Sequence, residues 1–170
     1  TTGNPGFIWK GTTSLFVARD MYIAGEGRLI ATILSLINMV DAKGEQYNQG
    51  ELLRWLSESI WFPTNLLPDS NLQWTFIDSL SAKLTFNYNG LSLFYTVSFN
   101  NAGEITQMET KRYMDEKNLE TWIIKPFKYE EKSGIIIPVE AEVFWRLKEG
   151  DFSYAKFSVK MIEYDIPERF

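Results

Sequence analysis

The fold is decided by residues 82–99, which read AKLTFNYNGLSLFYTVSF. Apolar and polar side chains alternate along both halves of this stretch, and a period of two is typical of a β-strand with one buried face. The two halves meet at Asn89-Gly90, a pair that tolerates the positive φ angles of a type I′ turn. The sequence therefore predicts a β-hairpin at this point.

The alternation continues downstream of the hairpin and predicts further strands. Because short turns join them, neighbouring strands should pair in antiparallel fashion. Pro126 cannot donate a ladder hydrogen bond, so it should lie at a sheet edge or a bulge. The downstream strands are predicted at residues 104–114, 121–130, 135–147 and 152–164.

The first part of the chain alternates less regularly. Its apolar run, residues 29–40, is compatible with strands or with a short helix. Gly25-Glu26-Gly27 is typical of a turn or a bulge. The strand segments predicted in this part are residues 7–9, 13–18, 21–24, 28–34 and 39–42.

One main helix is predicted over residues 49–61. Asn48 and Glu51 have the spacing of a capping box at its start, and Pro63 ends it. The predicted fold class is α+β: a single domain over residues 1–170, with a curved, half-barrel-like antiparallel sheet of about eight to ten strands on which this helix packs. The apolar stripe that should face the concave side of the sheet consists of Leu52, Leu53, Leu56 and Ile60.

Composition excludes several classes of function. The chain of 170 residues contains no Cys and no His, and its formal net charge is −5. Without these residue types there are no thiol nucleophiles, Ser-His-Asp triads or zinc sites of the usual kind. The negative charge argues against nucleic acid as a partner. The longest apolar run, of twelve residues, is too short to span a bilayer, and no residue pattern indicates a cofactor or a metal.

Aromatic side chains are abundant, with 6 Trp, 8 Tyr and 12 Phe. Several predicted strands carry them on both faces. Two interpretations remain open: the rings fill the core between helix and sheet, or they line a concave cavity for a hydrophobic or lipid-like ligand. In the second case residues 62–68 form a strap that lays two leucines over the cavity mouth or the core. The candidate ligand-binding residues are Trp55, Trp61, Leu66, Leu67, Trp74, Phe94, Tyr95, Trp122 and Trp145.

Charged residues on the predicted helix also allow two interpretations. Glu51, Arg54 and Glu58 share one helix face, so Arg54 could pair with both acids in a surface ladder. Alternatively, Glu58 is the acid/base of a carboxylate-based hydrolase, with Glu51 or Asp41 as its partner. Turn acids such as Asp20 match no EF-hand spacing, so no metal site is predicted. A further alternative is a structural or partner-binding module with an exposed sheet edge or apolar patch.

A motif at the end of the predicted helix carries a family resemblance. Residues 55–68 read WLSESIWFPTNLLP, which has the form W-x-x-E-x-x-W-x-P-x-x-L-L-P, and Trp74 follows. With Gly134 and Pro138 further downstream, the chain resembles an uncharacterised prokaryotic family of unknown function. That family has no established activity, so the resemblance implies no roles for individual residues.

Two expectations follow from resemblance alone. Members of that family tend to be longer, with an N-terminal segment that is often membrane-associated. The chain is therefore expected to be the C-terminal part of a longer precursor, with an extracytoplasmic or membrane-associated location. By architecture, a meander crossed by a helix also resembles the open half-barrel of the lipoprotein-localisation carriers, and this second likeness is an analogy of fold only.

Overall fold

The computed structural model describes residues 2–33 and 37–166, and most of them are in β-strands. Helix α1 (Glu45–Glu58) lies between the fourth and fifth strands and is followed by two 3₁₀ turns, Ser59–Trp61 and Pro63–Leu66. The strands are β1 (Phe7–Thr12), β2 (Phe16–Ile23), β3 (Glu26–Ile33), β4 (Ile37–Lys43), β5 (Leu72–Asp78), β6 (Ser81–Tyr88), β7 (Leu91–Phe99), β8 (Ile105–Tyr113), β9 (Leu119–Lys132), β10 (Ile135–Leu147) and β11 (Gly150–Ser158).

The strands form two antiparallel sheets. The small sheet has the order β1-β2-β3-β4, and the large sheet has the order β11-β10-β9-β8-β7-β6-β5. Consecutive strands pair throughout, except at β4 and β5, where α1 and the 3₁₀ turns intervene. The predicted α+β class with antiparallel strands and one main helix is confirmed. The strands lie in two sheets because the helical segment divides the meander, and the described residues contain eleven of them.

The central hairpin, β6–β7, forms as predicted. Asn89 and Gly90 have φ angles of 49° and 79°, which are those of a type I′ turn. This turn fixes the register, in which Leu84 lies opposite Tyr95. Both side chains are fully buried. Every second side chain of the two strands therefore points to the inner face of the large sheet.

Pro126 lies in β9, an interior strand of the large sheet, and not on an edge strand. It pairs with Ala141 of β10, whereas the pairing of β9 with β8 reaches only as far as Ile124 opposite Met108. Pro126 therefore lies in a part of β9 that has a ladder partner on one side. The missing N–H is tolerated because the strand is locally an edge.

Helix α1 begins at Glu45, earlier than the sequence pattern indicates. Gly44 precedes it with a φ of 135°, and no side chain caps the first turn. The predicted capping box is wrong because Asn48 lies inside the helix, where its Oδ1 accepts the backbone N–H of Gly27 at 2.8 Å. Gly27 makes this close approach possible, since a Cβ there would lie 2.4 Å from the carbonyl oxygen of Tyr47.

The core lies between α1 and the inner face of the large sheet. The hydroxyl of Tyr95 donates to the carbonyl oxygen of Leu53 at 3.0 Å, and the Trp55 ring lies 5.3 Å from that of Phe86. Helix α1 also contacts β2, β3 and β4, so it is held between the two sheets. None of the helices in residues 2–33 and 37–166 is both long enough and apolar enough to cross a membrane. The buried apolar side chains of α1 are Leu52, Leu53, Trp55 and Leu56.

The outer face of the large sheet carries aromatic rings beneath lysine side chains. Lys83 Nζ lies 4.5 Å from the centre of the Phe94 ring, and Lys125 Nζ lies 4.7 Å from that of Phe144. Phe94 is nevertheless 43% exposed. The bulky residues on the two strand faces therefore have different surroundings: the inner ones pack in the core, and these outer ones are stabilised by cation–π contacts.

Candidate functional site

A cavity of about 400 Å³ lies beside α1, where both sheets approach the helix. We call it the helix cavity. Its walls differ in chemistry, because one is apolar and the other carries charges. The apolar wall consists of Ile60, Trp61, Trp122, Ile124, Ala141, Val143, Ala155 and Phe157. The charged wall consists of Asp20, Glu51, Arg54, Glu58, Arg112 and Asp115.

The apolar wall is built by strand register. Ile124, Val143 and Ala155 lie directly opposite one another on β9, β10 and β11, so they form a row across the inner face of the large sheet. Trp61 meets this row from the 3₁₀ turn after α1, where its Nε1 donates to the carbonyl oxygen of Pro138 at 2.9 Å. The small side chain of Ala155 leaves space that the other residues of the row do not fill.

Arg54 organises one part of the charged wall. Its Nε donates to Glu58 Oε1 at 2.6 Å, and its Nη1 pairs with Asp20 Oδ2 of β2. The guanidinium also lies 4.8 Å from the ring centre of Trp9 on β1. Arg54 therefore links α1 to the small sheet through the carboxylate of Asp20 and the ring of Trp9, while Glu58 binds it from the same helix.

Glu51 is the most deeply buried charged residue of this wall, at 4% exposed. Its Oε1 lies 3.4 Å from Arg112 Nη2, while its buried Oε2 accepts no hydrogen bond from the described residues. Burial raises the pKa of Glu51 to about 7, although the positive charge of Arg112 acts in the opposite direction. A buried carboxyl with a raised pKa in a cavity is typical of functional sites.

Arg112 holds its position at the end of β8 through three kinds of contact. Its Nε donates to the carbonyl oxygen of Gly50 at 3.1 Å. Its guanidinium lies 4.7 Å from the ring centre of Trp122 and 5.8 Å from that of Trp145. The third contact is the ion pair with Glu51, so this arginine connects the charged wall to the aromatic side of the cavity.

Asp20 supplies a second unpartnered carboxylate oxygen. The alternation along β2 places it on the same face as the buried Tyr22, toward α1. Asp20 Oδ2 is paired with Arg54, but its Oδ1 is buried and receives no hydrogen bond from the described residues. Among the described residues, the charged wall thus contains two buried acceptor atoms without a donor, and an unpaired buried acceptor costs free energy.

Tyr154 extends the aromatic lining. The indole Nε1 of Trp122 donates to its hydroxyl oxygen at 2.8 Å, and the Tyr154 ring stacks on Trp145 with the ring centres 5.8 Å apart. Burial raises the pKa of the Tyr154 hydroxyl. The Trp122 N–H is therefore satisfied inside the wall, and its ring face remains turned to the cavity and to Arg112.

Comparison with known proteins identifies a family without an assigned activity. A family of unknown function, DUF6920, matches residues 1–164. The chain belongs to this family. The expectation of an uncharacterised family is thereby confirmed, whereas neither the motif at residues 55–68 nor the likeness to lipoprotein-localisation carriers receives support from the match. No curated protein and no solved structure matches the chain.

Four of the candidate residues named from the sequence lie in the helix cavity of this DUF6920 chain. Trp61 and Trp122 belong to its apolar wall, and Glu51 and Glu58 belong to its charged wall. Trp145 lies immediately behind Trp122, with the ring centres 6.2 Å apart. The structure therefore brings together residues from α1, the following 3₁₀ turn, β9 and β10.

The other aromatic candidates lie elsewhere in the DUF6920 fold. Trp55 and Tyr95 pack in the core between α1 and the large sheet, and Phe94 lies on the outer face of that sheet under Lys83. The Trp74 ring lies 6.0 Å from that of Phe99. None of the four is among the cavity-lining residues.

The predicted strap, residues 62–68, contacts the core through only one of its two leucines. Leu66 packs against the core, and its carbonyl oxygen accepts the indole N–H of Trp74 at 2.8 Å. Leu67 is 62% exposed. Neither leucine lines the helix cavity, because the hydrogen bond to Trp74 fixes the segment against β5.

The predicted surface ladder on α1 is wrong in two respects. Arg54 pairs with Glu58 but takes Asp20 as its second partner, and Glu51 pairs with Arg112. Both sheets cover this helix face. An acid from β2 therefore pairs with Arg54, and an arginine from β8 pairs with Glu51. Asp41, the other acid named beside Glu58, lies on the exposed side of the small sheet, where it pairs with Arg28 at 2.6 Å.

The contacts of three cavity residues were not anticipated: Asp20 pairs with Arg54, Arg112 pairs with Glu51, and Tyr154 accepts the indole N–H of Trp122. The alternation along β2 contains the signal for Asp20, since it puts this acid on the buried face. No local pattern marks Arg112 or Tyr154, whose roles depend on contacts between distant strands. Within the described residues, no group of three or more His, Cys, Asp or Glu side chains is arranged to hold a metal ion.

Proposed function

We propose that this protein binds a hydrophobic or lipid-like small molecule in the helix cavity, without catalysing a reaction on it. One observation carries the proposal. A row of apolar side chains on β9–β11 faces open space, opposite Trp61, in a cavity of about 400 Å³. Ligand pockets generally measure about 300–1,000 Å³ and have mostly apolar walls with a few polar groups.

The cavity geometry favours binding over hydrolysis. A glycosidase-like mechanism needs two carboxyl groups that flank a substrate bond, one to protonate it and one to attack or activate water. Glu58 is instead held by the Arg54 guanidinium at 2.6 Å, and Asp41 pairs with Arg28 outside the cavity. The interactions of these two acids are those of structural ion pairs.

A homologous series of n-alkanols tests the proposal directly. Each methylene buried against the apolar wall contributes about 0.8 kcal/mol, so affinity should rise about fourfold per added carbon and level off when the cavity is full. Binding is measured by titration calorimetry, with tryptophan fluorescence as a second signal, since Trp61 and Trp122 line the cavity.

A cavity-filling variant locates the binding site. Ala155→Phe places a ring at the β11 end of the apolar row, in the cavity wall, and should abolish alkanol binding. Ser158→Phe is the matched control, because Ser158 lies on the same strand and is exposed, opposite Glu140. Absence of saturable binding, or equal binding by Ala155→Phe and the unchanged protein, would contradict the proposal.

An exposed apolar end of the small sheet supports a second candidate function, a partner-binding surface. Phe16 lies opposite Ile33, and Ile33 lies opposite Ile37, so these residues share one row. Leu15, Phe16 and Ile37 are all exposed. Apolar patches of this kind mark interaction sites in soluble proteins.

A second copy of this chain is the partner that can be tested first. Sedimentation velocity over a range of protein concentrations should show a dimer that Phe16→Ser with Ile37→Ser dissociates. A monomer at all concentrations would exclude self-association through this surface.

A further inference from the structure

We propose that the charged wall of the helix cavity selects a ligand whose polar head is a primary ammonium group. The inference deepens the proposed function and rests on it. The apolar wall would hold the hydrocarbon part of the ligand, and Glu51 together with Asp20 would receive the head group.

The buried acceptor atoms support this choice of head group. Glu51 is 4% exposed, lies in the cavity wall, and leaves its Oε2 without a donor among the described residues. Asp20 Oδ1, in the same wall, has no donor there either. An ammonium group carries three N–H donors and no acceptor, which suits a wall whose unpaired atoms are acceptors.

The balance of charge in the wall points in the same direction. Three carboxylates, those of Asp20, Glu51 and Glu58, share two guanidiniums, those of Arg54 and Arg112. When all three carboxylates are ionised, this cluster therefore carries one surplus negative charge. Asp115 adds a fourth carboxylate to the lining, although backbone and side-chain N–H groups of its own turn bind it.

The two arginines are already engaged, which disfavours an anionic head group. Arg54 donates to Glu58 and Asp20, and it lies over the ring of Trp9. Arg112 donates to Gly50 and Glu51 while it lies over Trp122. A carboxylate or phosphate would compete with these carboxylates for the guanidiniums and would add to the surplus negative charge of the wall.

The raised pKa of Glu51 is consistent with a site for a cationic head group. Burial raises its pKa to about 7, and the nearby negative charges of Asp20 and Glu58 add to that effect. A bound cation would favour the ionised carboxylate. Binding of an ammonium head group should therefore release a proton from Glu51 near neutral pH.

Three probes of equal chain length separate the head groups on the unchanged protein. They are octylammonium, octanol and octanoate, measured by titration calorimetry at pH 8. A hydrogen bond to a charged partner is typically the stronger kind, so octylammonium should bind at least about tenfold more tightly than octanol, and octanoate more weakly than both. This comparison needs no variant and does not depend on how a substitution affects folding.

The variant Glu51→Gln tests whether Glu51 receives the ammonium head group. It should lower the affinity for octylammonium at least about tenfold, to near that of octanol. Glu131→Gln is the matched control, because it removes the same charge from an exposed position outside the cavity. Circular dichroism confirms that each variant is folded.

The possible outcomes distinguish the two proposals. If none of the three probes binds, the proposed function itself fails. If octanol and octanoate bind as tightly as octylammonium, the cavity is a ligand site but the head-group inference is wrong. Equal loss of octylammonium binding in Glu51→Gln and Glu131→Gln would also refute it, since the effect would then come from the overall charge of the protein.

Discussion

Replacement of Glu51 by Gln should stabilise the unliganded protein at alkaline pH and leave its stability unchanged in acid. Burial raises the pKa of Glu51 from an ordinary 4.5 to about 7, so the folded state holds this proton more tightly than the unfolded chain does. The stabilisation that the neutral carboxyl provides is complete below about pH 4.5 and is lost as the pH rises to about 7 and beyond.

The size of the effect follows from the same two pKa values. Each pKa unit is worth about 1.36 kcal/mol, so the ionised Glu51 lowers the free energy of unfolding by up to roughly 3 kcal/mol relative to the neutral form. Glutamine resembles the neutral acid and keeps an acceptor for Arg112. With a urea m-value of about 2 kcal/mol/M, the unfolding midpoint of Glu51→Gln at pH 8 should rise by up to roughly 1.5 M.

Urea unfolding, followed by tryptophan fluorescence at pH 4 and pH 8, measures this shift of the unfolding midpoint. The difference between the variant and the unchanged protein isolates Glu51 from the other carboxyls, several of which have lowered pKa values, such as Asp41 and Asp151. Glu131→Gln serves as the control and should show no comparable shift. A variant that is less stable than the unchanged protein at pH 8 would refute the reasoning, because the ion pair with Arg112 would then outweigh the cost of burial.

Three further outcomes are expected. The affinity for octylammonium should rise up to about tenfold between pH 6 and pH 8 as Glu51 ionises, while the ligand stays charged, and calorimetry should show no such rise in Glu51→Gln. Tyr95→Phe removes the hydrogen bond to Leu53 and should lower the free energy of unfolding by about 1 kcal/mol in urea titrations. Gly27→Ala should cost more than about 1 kcal/mol in the same assay, because its Cβ would lie 2.4 Å from the carbonyl oxygen of Tyr47; unchanged stability would show that β3 and α1 can move apart. The titration of Glu51 in the octylammonium experiment also depends on the titratable groups around it. These are Arg112 of β8, Asp20 of β2, Tyr154 of β11, and Arg54 and Glu58 of α1.

Local patterns in the sequence were sufficient to predict the central hairpin and the buried helix face, but not β5 (Leu72–Asp78). Alternation and the Asn89-Gly90 turn depend on nearest neighbours, and the structure retains both. The apolar stripe of α1 is buried as expected. The start of α1 was misplaced because Asn48, a good cap in isolation, is engaged by Gly27 of β3, a contact that no local pattern contains.

The site was less predictable because its residues come from α1, from the 3₁₀ turn that follows it, and from strands β2, β8, β9, β10 and β11. The sequence indicated that Glu51 and Glu58 share a helix face, and both lie in the cavity. It could not indicate that Arg112, from a polar strand far along the chain, would become the partner of Glu51. Side-chain pairing between elements depends on how the sheets close on the helix, and periodicity contains no information on that.

The cost of burying Glu51 and the selectivity proposed for the cavity are two aspects of one free energy. No group in the described part of the chain donates to Oε2 of the ionised carboxylate, and folding must overcome that cost. A ligand that supplies a positive charge and N–H donors removes this cost on binding, whereas a neutral ligand of the same shape leaves it in place. The stability gained by Glu51→Gln at pH 8 and the loss of ammonium preference in the same variant should therefore occur together, since both depend on the uncompensated charge. Stabilisation without loss of preference would place the head group at some other residue.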